Sequence, residues 1–207
     1  MNNPALNTTK HTKGEATRAA ILDAAVRLAA VEGFGALTIG ALAERAGMSK
    51  SGLFAHFGSK DELQVATLDE AVRRYNEVAF LPALKAPRGL RRLRALANNW
   101  LQWVEASTLH SCPMVSAMHE FDDRPGVMRE AIAEHMLRLN DEIMRGVQMT
   151  IESGEFEPDT DCEQFAFELF GIVATSYRSR NLFQDKRALV LADKALDRLI
   201  NSCLAVA

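Results

Sequence analysis

Residues 38–57 have the sequence TIGALAERAGMSKSGLFAHF, which predicts two short helices separated by a tight turn. Thr38 and Ser49 are typical N-cap residues, and each comes directly before a run of helix-forming residues. Gly47 lies between the two runs, where glycine ends a helix because it adopts positive φ without a Cβ clash. Two helices of about seven residues joined this closely cross at a large angle, which is the shape of a helix-turn-helix.

The outward-facing residues of this segment have the chemistry of a DNA contact. The second helix begins with Lys50, Ser51 and Gly52, and the start of that helix enters the major groove in such motifs. Thr38 and Lys60 stand at the N-termini of other helices, where free N–H groups attract phosphate. The predicted DNA-contacting residues are Thr38, Ser49, Lys50, Ser51, Gly52, Phe54, His56 and Lys60.

The flanking sequence predicts one helix before this pair and one after it. Apolar residues recur at helical spacing over about 17–32, and Gly33 follows at a C-terminal capping position. Ser59 and Glu62 form a capping box that begins a long helix ending near Phe80. A structural hairpin inside another all-α protein is the alternative, but it would not need an outward Lys-Ser-Gly tripeptide.

Residues 17–63 resemble the DNA-binding domain of the tetracycline-repressor (TetR) family in order and spacing, and 112–126 resemble one subgroup of it. The motifs that carry the resemblance are Glu32-Gly33-Phe34, Thr38-Ile39, Leu42-Ala43, Ala46-Gly47, Ser49-Lys50-Ser51-Gly52-Leu53-Phe54, His56-Phe57 and Ser59-Lys60-Asp61-Glu62-Leu63. The chain departs from the family at Phe54, where a Tyr is usual, so a hydroxyl contact to phosphate is missing. Phe54 can still touch a thymine methyl group.

The resemblance implies an all-α fold of about nine helices. A flexible tail (1–14) is expected to precede a three-helix DNA-binding domain (15–63) and a larger helical ligand-binding and dimerisation domain (64–207). The implied function is a transcriptional repressor that a small apolar or aromatic effector releases from a palindromic operator. The implied partners are double-stranded operator DNA, an unknown effector and a second copy of the chain.

Composition agrees with a globular, cytoplasmic protein and excludes several classes. The 207 residues are 48% hydrophobic and 25% charged with a net charge of −3, so the chain is not a generally basic nucleic-acid binder. Residues 1–62 are nevertheless slightly basic, with seven Lys and Arg against six Asp and Glu. No apolar run reaches the length of a membrane span, and the polar start is no signal peptide. Three scattered cysteines suggest no disulfide framework.

Downstream of two prolines, Pro82 and Pro87, the pattern predicts five further helices. They cover about 90–104, 113–121, 125–153 with Asp123 as a cap, 161–181 and 186–206. The last two, about 161–183 and 186–206, are amphipathic. They form either monomer core or half of a four-helix bundle shared with a second subunit, and the resemblance favours the homodimer.

Aromatic and methionine side chains in this region suit an apolar or aromatic ligand. The candidates are Trp100, Trp103, Met114, Met118, Phe121, Phe170 and Tyr177. Ordinary core packing is the competing interpretation for each one. A helical enzyme or carrier using such a pocket, and a module acting only through its last helices, remain alternatives to the regulator.

Other reactive residues give weaker signals. His110, Cys112 and His119 lack the spacing of a zinc site, so we expect no metal, and Cys112 is either a redox sensor or a small buried hydrophobe. Acidic residues at 120–123 are expected to cap a helix or pair with Arg124 or Arg129. No triad order, phosphate loop or GxGxxG motif occurs, so we expect neither catalysis nor a cofactor.

Overall fold

The computed structural model describes residues 13–106 and 112–206, and it confirms the all-α fold. Nine of its α-helices have five or more residues in these ranges, and a three-residue helix accompanies them. The helices are α1 (Lys13–Glu32), α2 (Ile39–Ala46), α3 (Lys50–Phe54), α4 (Lys60–Tyr75), α5 (Leu81–Ala83), α6 (Leu90–Ala106), α7 (Pro113–Phe121), α8 (Val127–Glu152), α9 (Cys162–Asn181) and α10 (Ala188–Asn201). None of the described helices is long and apolar enough to cross a membrane.

The helix-turn-helix forms where the capping residues predict it. The Thr38 hydroxyl accepts a hydrogen bond from the Ala41 N–H at 3.1 Å and begins α2. Gly47 ends that helix with φ at 63°, in the left-handed region that glycine enters without strain. The Ser49 hydroxyl accepts from the Gly52 N–H at 3.0 Å and begins α3.

The predicted capping box at the start of α4 takes a different form. The Ser59 hydroxyl accepts from the Glu62 N–H at 3.0 Å, as expected. The reciprocal bond goes one residue further back, because the Glu62 carboxylate accepts from the Gly58 N–H at 2.9 Å. The first bond satisfies an amide group that the first turn of a helix leaves without a partner, and the second ties the residue before the N-cap to that turn.

Three predicted helix boundaries are wrong. α1 begins at Lys13 rather than Thr17, with Glu15 favourably placed in its first turn, so the predicted tail is helical at 13–14 and otherwise lies outside the described residues. α8 begins after Gly126, whose φ of 140° is not helical, and no side chain caps it, so Asp123 does not. α10 ends at Asn201 because Leu204 forms a backbone bridge with Phe156.

A π-helical turn, Asn76–Phe80, interrupts the long helix that begins at Lys60. Its wide turn closes with a bond from the Leu81 N–H to the carbonyl of Asn76, five residues earlier. Pro82 follows directly, and a proline has no N–H to donate to the carbonyl four residues before it. The Asn99 side-chain amide donates to the carbonyl of Ala79 at 2.8 Å, which ties the turn to α6.

One continuous apolar core joins the helix-turn-helix to the helices that follow. Phe34, Leu53 and Phe57 are fully buried in this core, and Trp100 of α6 packs edge-on against Phe170 of α9 with ring centroids 4.8 Å apart. The predicted domain boundary between residues 63 and 64 falls inside α4. The helix-turn-helix region therefore shares α4 with the helices that follow it.

Two neighbouring residues of α3, Leu53 and Phe54, have opposite environments. Leu53 is 0% exposed and Phe54 is 51% exposed. We expect Leu53→Ala to lower the free energy of unfolding by about 2–5 kcal/mol because it removes buried methyl groups. Phe54→Ala should change it by less than about 0.5 kcal/mol. Urea denaturation followed by circular dichroism measures both, and equal losses would contradict the placement of α3.

Candidate nucleic-acid interface and ligand cavities

The predicted groove-binding residues lie on one exposed side of α3. Ser49, Lys50, Ser51 and Phe54 are exposed, and Gly52 is half-buried. Leu53 occupies the opposite side and anchors the helix in the core. A helix of five residues presented in this way can approach base edges with side chains at its N-terminal end.

Lys50 reaches across the start of α2. A Cβ atom built on Gly40 would lie 3.4 Å from Cε of Lys50 and 3.7 Å from its Nζ. The lysine stem therefore lies directly over a glycine, while the side chain as a whole stays exposed. This position brings the ammonium group of Lys50 next to the first turn of α2.

The predicted phosphate contacts surround α3. Thr38 accepts its capping bond through Oγ1, so its O–H is still able to donate to a phosphate oxygen. The Lys60 ammonium donates to the carbonyl of Gly35 at 3.3 Å and is exposed, and His56 is half-buried. Sequence reasoning did not select Arg18, whose guanidinium lies 4.9 Å from the centroid of the Phe57 ring. Arg18 lies in the basic N-terminal stretch, and this charge pattern is the sequence feature that could have pointed to it.

Two family models match the chain in agreement with this geometry. Residues 21–67 match the bacterial regulatory proteins of the tetR family. Residues 89–196 match the tetracyclin repressor-like C-terminal domain. The chain belongs to the TetR family. A search of curated proteins found no match.

Solved structures share the whole fold with this TetR-family chain. A TetR-family regulator from Cytophaga hutchinsonii has a TM-score of 0.84 at 17% identity, covering 96% of this chain and 100% of that chain. A TetR regulator from Chloroflexus aurantiacus J-10-FL has 0.85 at 22% identity, covering 94% and 99%. AibR in complex with isovaleryl coenzyme A and operator DNA has 0.69 at 21% identity, covering 91% and 98%.

Family membership assigns the broad function. TetR-family proteins are transcriptional regulators that bind DNA and often small-molecule ligands, and they are generally not enzymes. The tetR-family match at 21–67 includes the exposed α3, and the C-terminal match at 89–196 covers most of α6 to α10.

The structure distributes the predicted ligand residues over separate cavities. Met118 and Phe170 line a cavity of about 760 Å³ between α7, α8 and α9. Met114 lines a second, of about 380 Å³, between α4 and α8. Tyr177 lines a third, of about 390 Å³, beside α7. The seven residues therefore do not form a single pocket.

The remaining ligand candidates pack against other side chains. Trp100 is 4% exposed, and its indole N–H has no acceptor among the described residues. Trp103 lies edge-on to Tyr75 with ring centroids 6.0 Å apart. Phe121 lies 5.9 Å from the Arg124 guanidinium.

Among the described residues, the candidate metal ligands do not form a cluster. His110 lies outside the described residues, Cys112 is buried, and His119 stacks against Tyr177 at 6.4 Å. Within 13–106 and 112–206, no three His, Cys, Asp or Glu side chains are grouped as metal ligands.

Two of the acidic residues at 120–123, Glu120 and Asp122, have partners that the sequence did not predict. Arg129 donates through Nε to the backbone carbonyl of Asp122 at 3.0 Å, not to a carboxylate. The Glu120 carboxylate accepts from the N–H groups of Phe34 and Gly35 at 2.8 and 2.6 Å. Its partners lie 85 and 86 residues earlier, so no local sequence pattern pointed to them.

Burial raises the pKa of the Cys112 thiol, which disfavours the reactive thiolate. We expect a chain carrying Cys162→Ser and Cys203→Ser to resist a disulfide reagent such as DTNB while folded, even at mildly alkaline pH. The same chain in urea should react at once, which serves as the control. Fast reaction of the folded variant, followed by absorbance of the released thiolate, would restore the redox interpretation.

Proposed function

We propose that this chain is a repressor that binds a palindromic operator as a homodimer and releases it when an apolar or aromatic effector binds. The exposed, polar start of α3 is the single observation that carries this proposal. Two-fold symmetry would place two copies of α3 in successive major grooves, about 34–36 Å apart. Double-stranded operator DNA is then the partner of the N-terminal helices.

The proposed DNA contacts are of two kinds, contacts to bases and contacts to phosphates. Lys50, Ser51 and Phe54 are exposed on α3 and, with the half-buried Gly52, would contact base edges and thymine methyl groups. The other four predicted residues, Thr38, Ser49, His56 and Lys60, would hold phosphates. Phosphate contacts position the protein, whereas base contacts carry the sequence preference.

The dimer is proposed through α9 and α10. Leu182 and Phe183 after α9 are exposed by 70% and 63%, and Val190 and Leu191 of α10 by 54% and 49%, which leaves apolar surface uncovered at this end of the chain. A groove of about 580 Å³ runs between α9 and α10. Small residues, among them Gly171 and Ala195, line it and would allow helices of a second subunit to approach closely.

The effector is proposed to bind among the methionines of the C-terminal bundle. The cavity of about 760 Å³ has Met118, Met136, Met144 and Phe170 in its wall, and such side chains adapt to apolar ligands. AibR, which shares the fold, was solved with isovaleryl coenzyme A and operator DNA. An acyl or aromatic compound is therefore a reasonable first class to screen.

α4 is the proposed path from the ligand to DNA. Arg74 near its end donates to Asp23 of α1 at 2.9 Å, and Lys60 stands at its start beside the DNA-proximal helices. An effector releases DNA only by binding the DNA-incompetent state more tightly. Operator DNA must then weaken effector binding by the same factor.

Lys50→Ala tests the DNA interface. We expect operator affinity to fall about tenfold or more, because a base-contacting cation is lost, while the thermal midpoint stays unchanged. The operator is obtained by selecting bound sequences from random duplex DNA, and affinity is measured by gel shift over a range of salt. Lys85→Ala, an exposed lysine after α5, is the matched control. Equal binding by the Lys50 variant would contradict the groove assignment.

Leu191→Glu tests the dimer. Leu191 lines the α9–α10 groove and is 49% exposed, so a carboxylate there would be buried without a partner in the dimer. We expect light scattering to show a monomer and gel shifts to show loss of operator binding. Val127→Glu, an exposed apolar residue at the start of α8, should leave the dimer intact. A dimeric Leu191 variant would place the interface elsewhere.

A further inference from the structure

We propose that Glu120 is a latch between the C-terminal bundle and the helix-turn-helix, and that effector binding acts on DNA through this carboxylate as well as through α4. Glu120 lies near the end of α7. Its Oε2 accepts from the Phe34 N–H at 2.8 Å, and its Oε1 accepts from the Gly35 N–H at 2.6 Å. Hydrogen bonds to an ionised carboxylate are about twice as strong as neutral ones.

The turn at 33–36 has the shape of a receptor for this carboxylate. A Cβ atom at Gly35 would lie 2.5 Å from Oε1 of Glu120, and one at Gly33 would lie 2.9 Å from Oε2. Gly33 also has φ at 83°, and successive N–H groups in such a turn form a concave anion site. Two glycines on either side of Phe34 therefore leave room for the carboxylate.

Two side chains of α4 also donate hydrogen bonds to this turn. Gln64 is 3% exposed, and its side-chain amide donates to the carbonyl of Phe34 at 2.6 Å. Lys60 donates to the carbonyl of Gly35 at 3.3 Å. The turn ends two residues before Thr38, the N-cap of α2, so its position fixes where the helix-turn-helix begins.

α7 also contacts the proposed ligand region. Met114 lines the cavity between α4 and α8, and Met118 lines the larger cavity beside α9. Met118 is two residues from Glu120 on a helix of nine residues. Because interiors are close-packed, a ligand that displaces α7 by about an ångström would lengthen both bonds to the turn beyond hydrogen-bond distance. The switching role of Glu120 rests on the proposed ligand response, whereas its hold on the turn does not.

A double-mutant cycle tests the hold on the turn without DNA. Gly35→Ala displaces the Glu120 carboxylate, so we expect it to raise the unfolding equilibrium constant about tenfold in the parent chain. In a Glu120→Ala background it should have almost no further effect. Gly14→Ala, where a Cβ would meet nothing within 4 Å, is the control that should add independently. Additive effects of Gly35→Ala and Glu120→Ala in urea denaturation would overturn the latch.

Reciprocity gives a test of the switching role that needs no identified effector. The probe is a duplex selected from random DNA by the parent chain. We expect this duplex to change amide hydrogen exchange in α7 by at least about threefold in the parent chain and not in Glu120→Gln. Glu130→Gln, an exposed residue of α8, should behave like the parent.

The outcomes separate the two proposals. An unchanged response of α7 in Glu120→Gln would overturn the switching role. If no duplex is selected, the proposed function fails, and the switching role fails with it. The double-mutant cycle then still decides whether Glu120 holds the turn.

Discussion

A helix of five residues such as α3 cannot hold its own shape in isolation, and this constraint governs the helix-turn-helix. Helices this short are unstable alone, because nucleation costs more than a single turn returns. α3 exists because Leu53 and Phe57 are buried beneath it and Ser49 satisfies its first free amide. The geometry of α3 therefore depends on how α1, α2 and α4 pack against it. Any change in that packing also changes the proposed DNA-contacting surface.

The dependence of α3 on its neighbours explains why the turn before α2 matters. The carboxylate of Glu120 and the amide of Gln64 hold opposite polar groups of the same short segment. One comes from the bundle and the other from α4. The turn before α2 is therefore held by both α7 and α4. Its position is sensitive to how these two helices lie relative to each other.

Features set by neighbouring residues were predictable from the sequence, and features set by distant contacts were not. Caps at Thr38, Ser49 and Ser59 follow from a hydroxyl and the amide three residues later. The early end of α10 depends on backbone pairing with a segment almost fifty residues earlier. The distribution of candidate ligand residues over several cavities depends on the rotation of each helix, which apolar spacing alone does not determine.

The π-helical turn at 76–80 sets the phase of everything that follows it in the same helical run. Each residue advances an α-helix by about 100°, so one extra residue in a turn redirects all later side chains. Pro82 and buried Ala83 owe their orientation to that offset. The number of residues in this segment is therefore constrained by the rotation it gives to later side chains, not by the distance it spans. A relative lacking one residue here would need a different partner surface on α6.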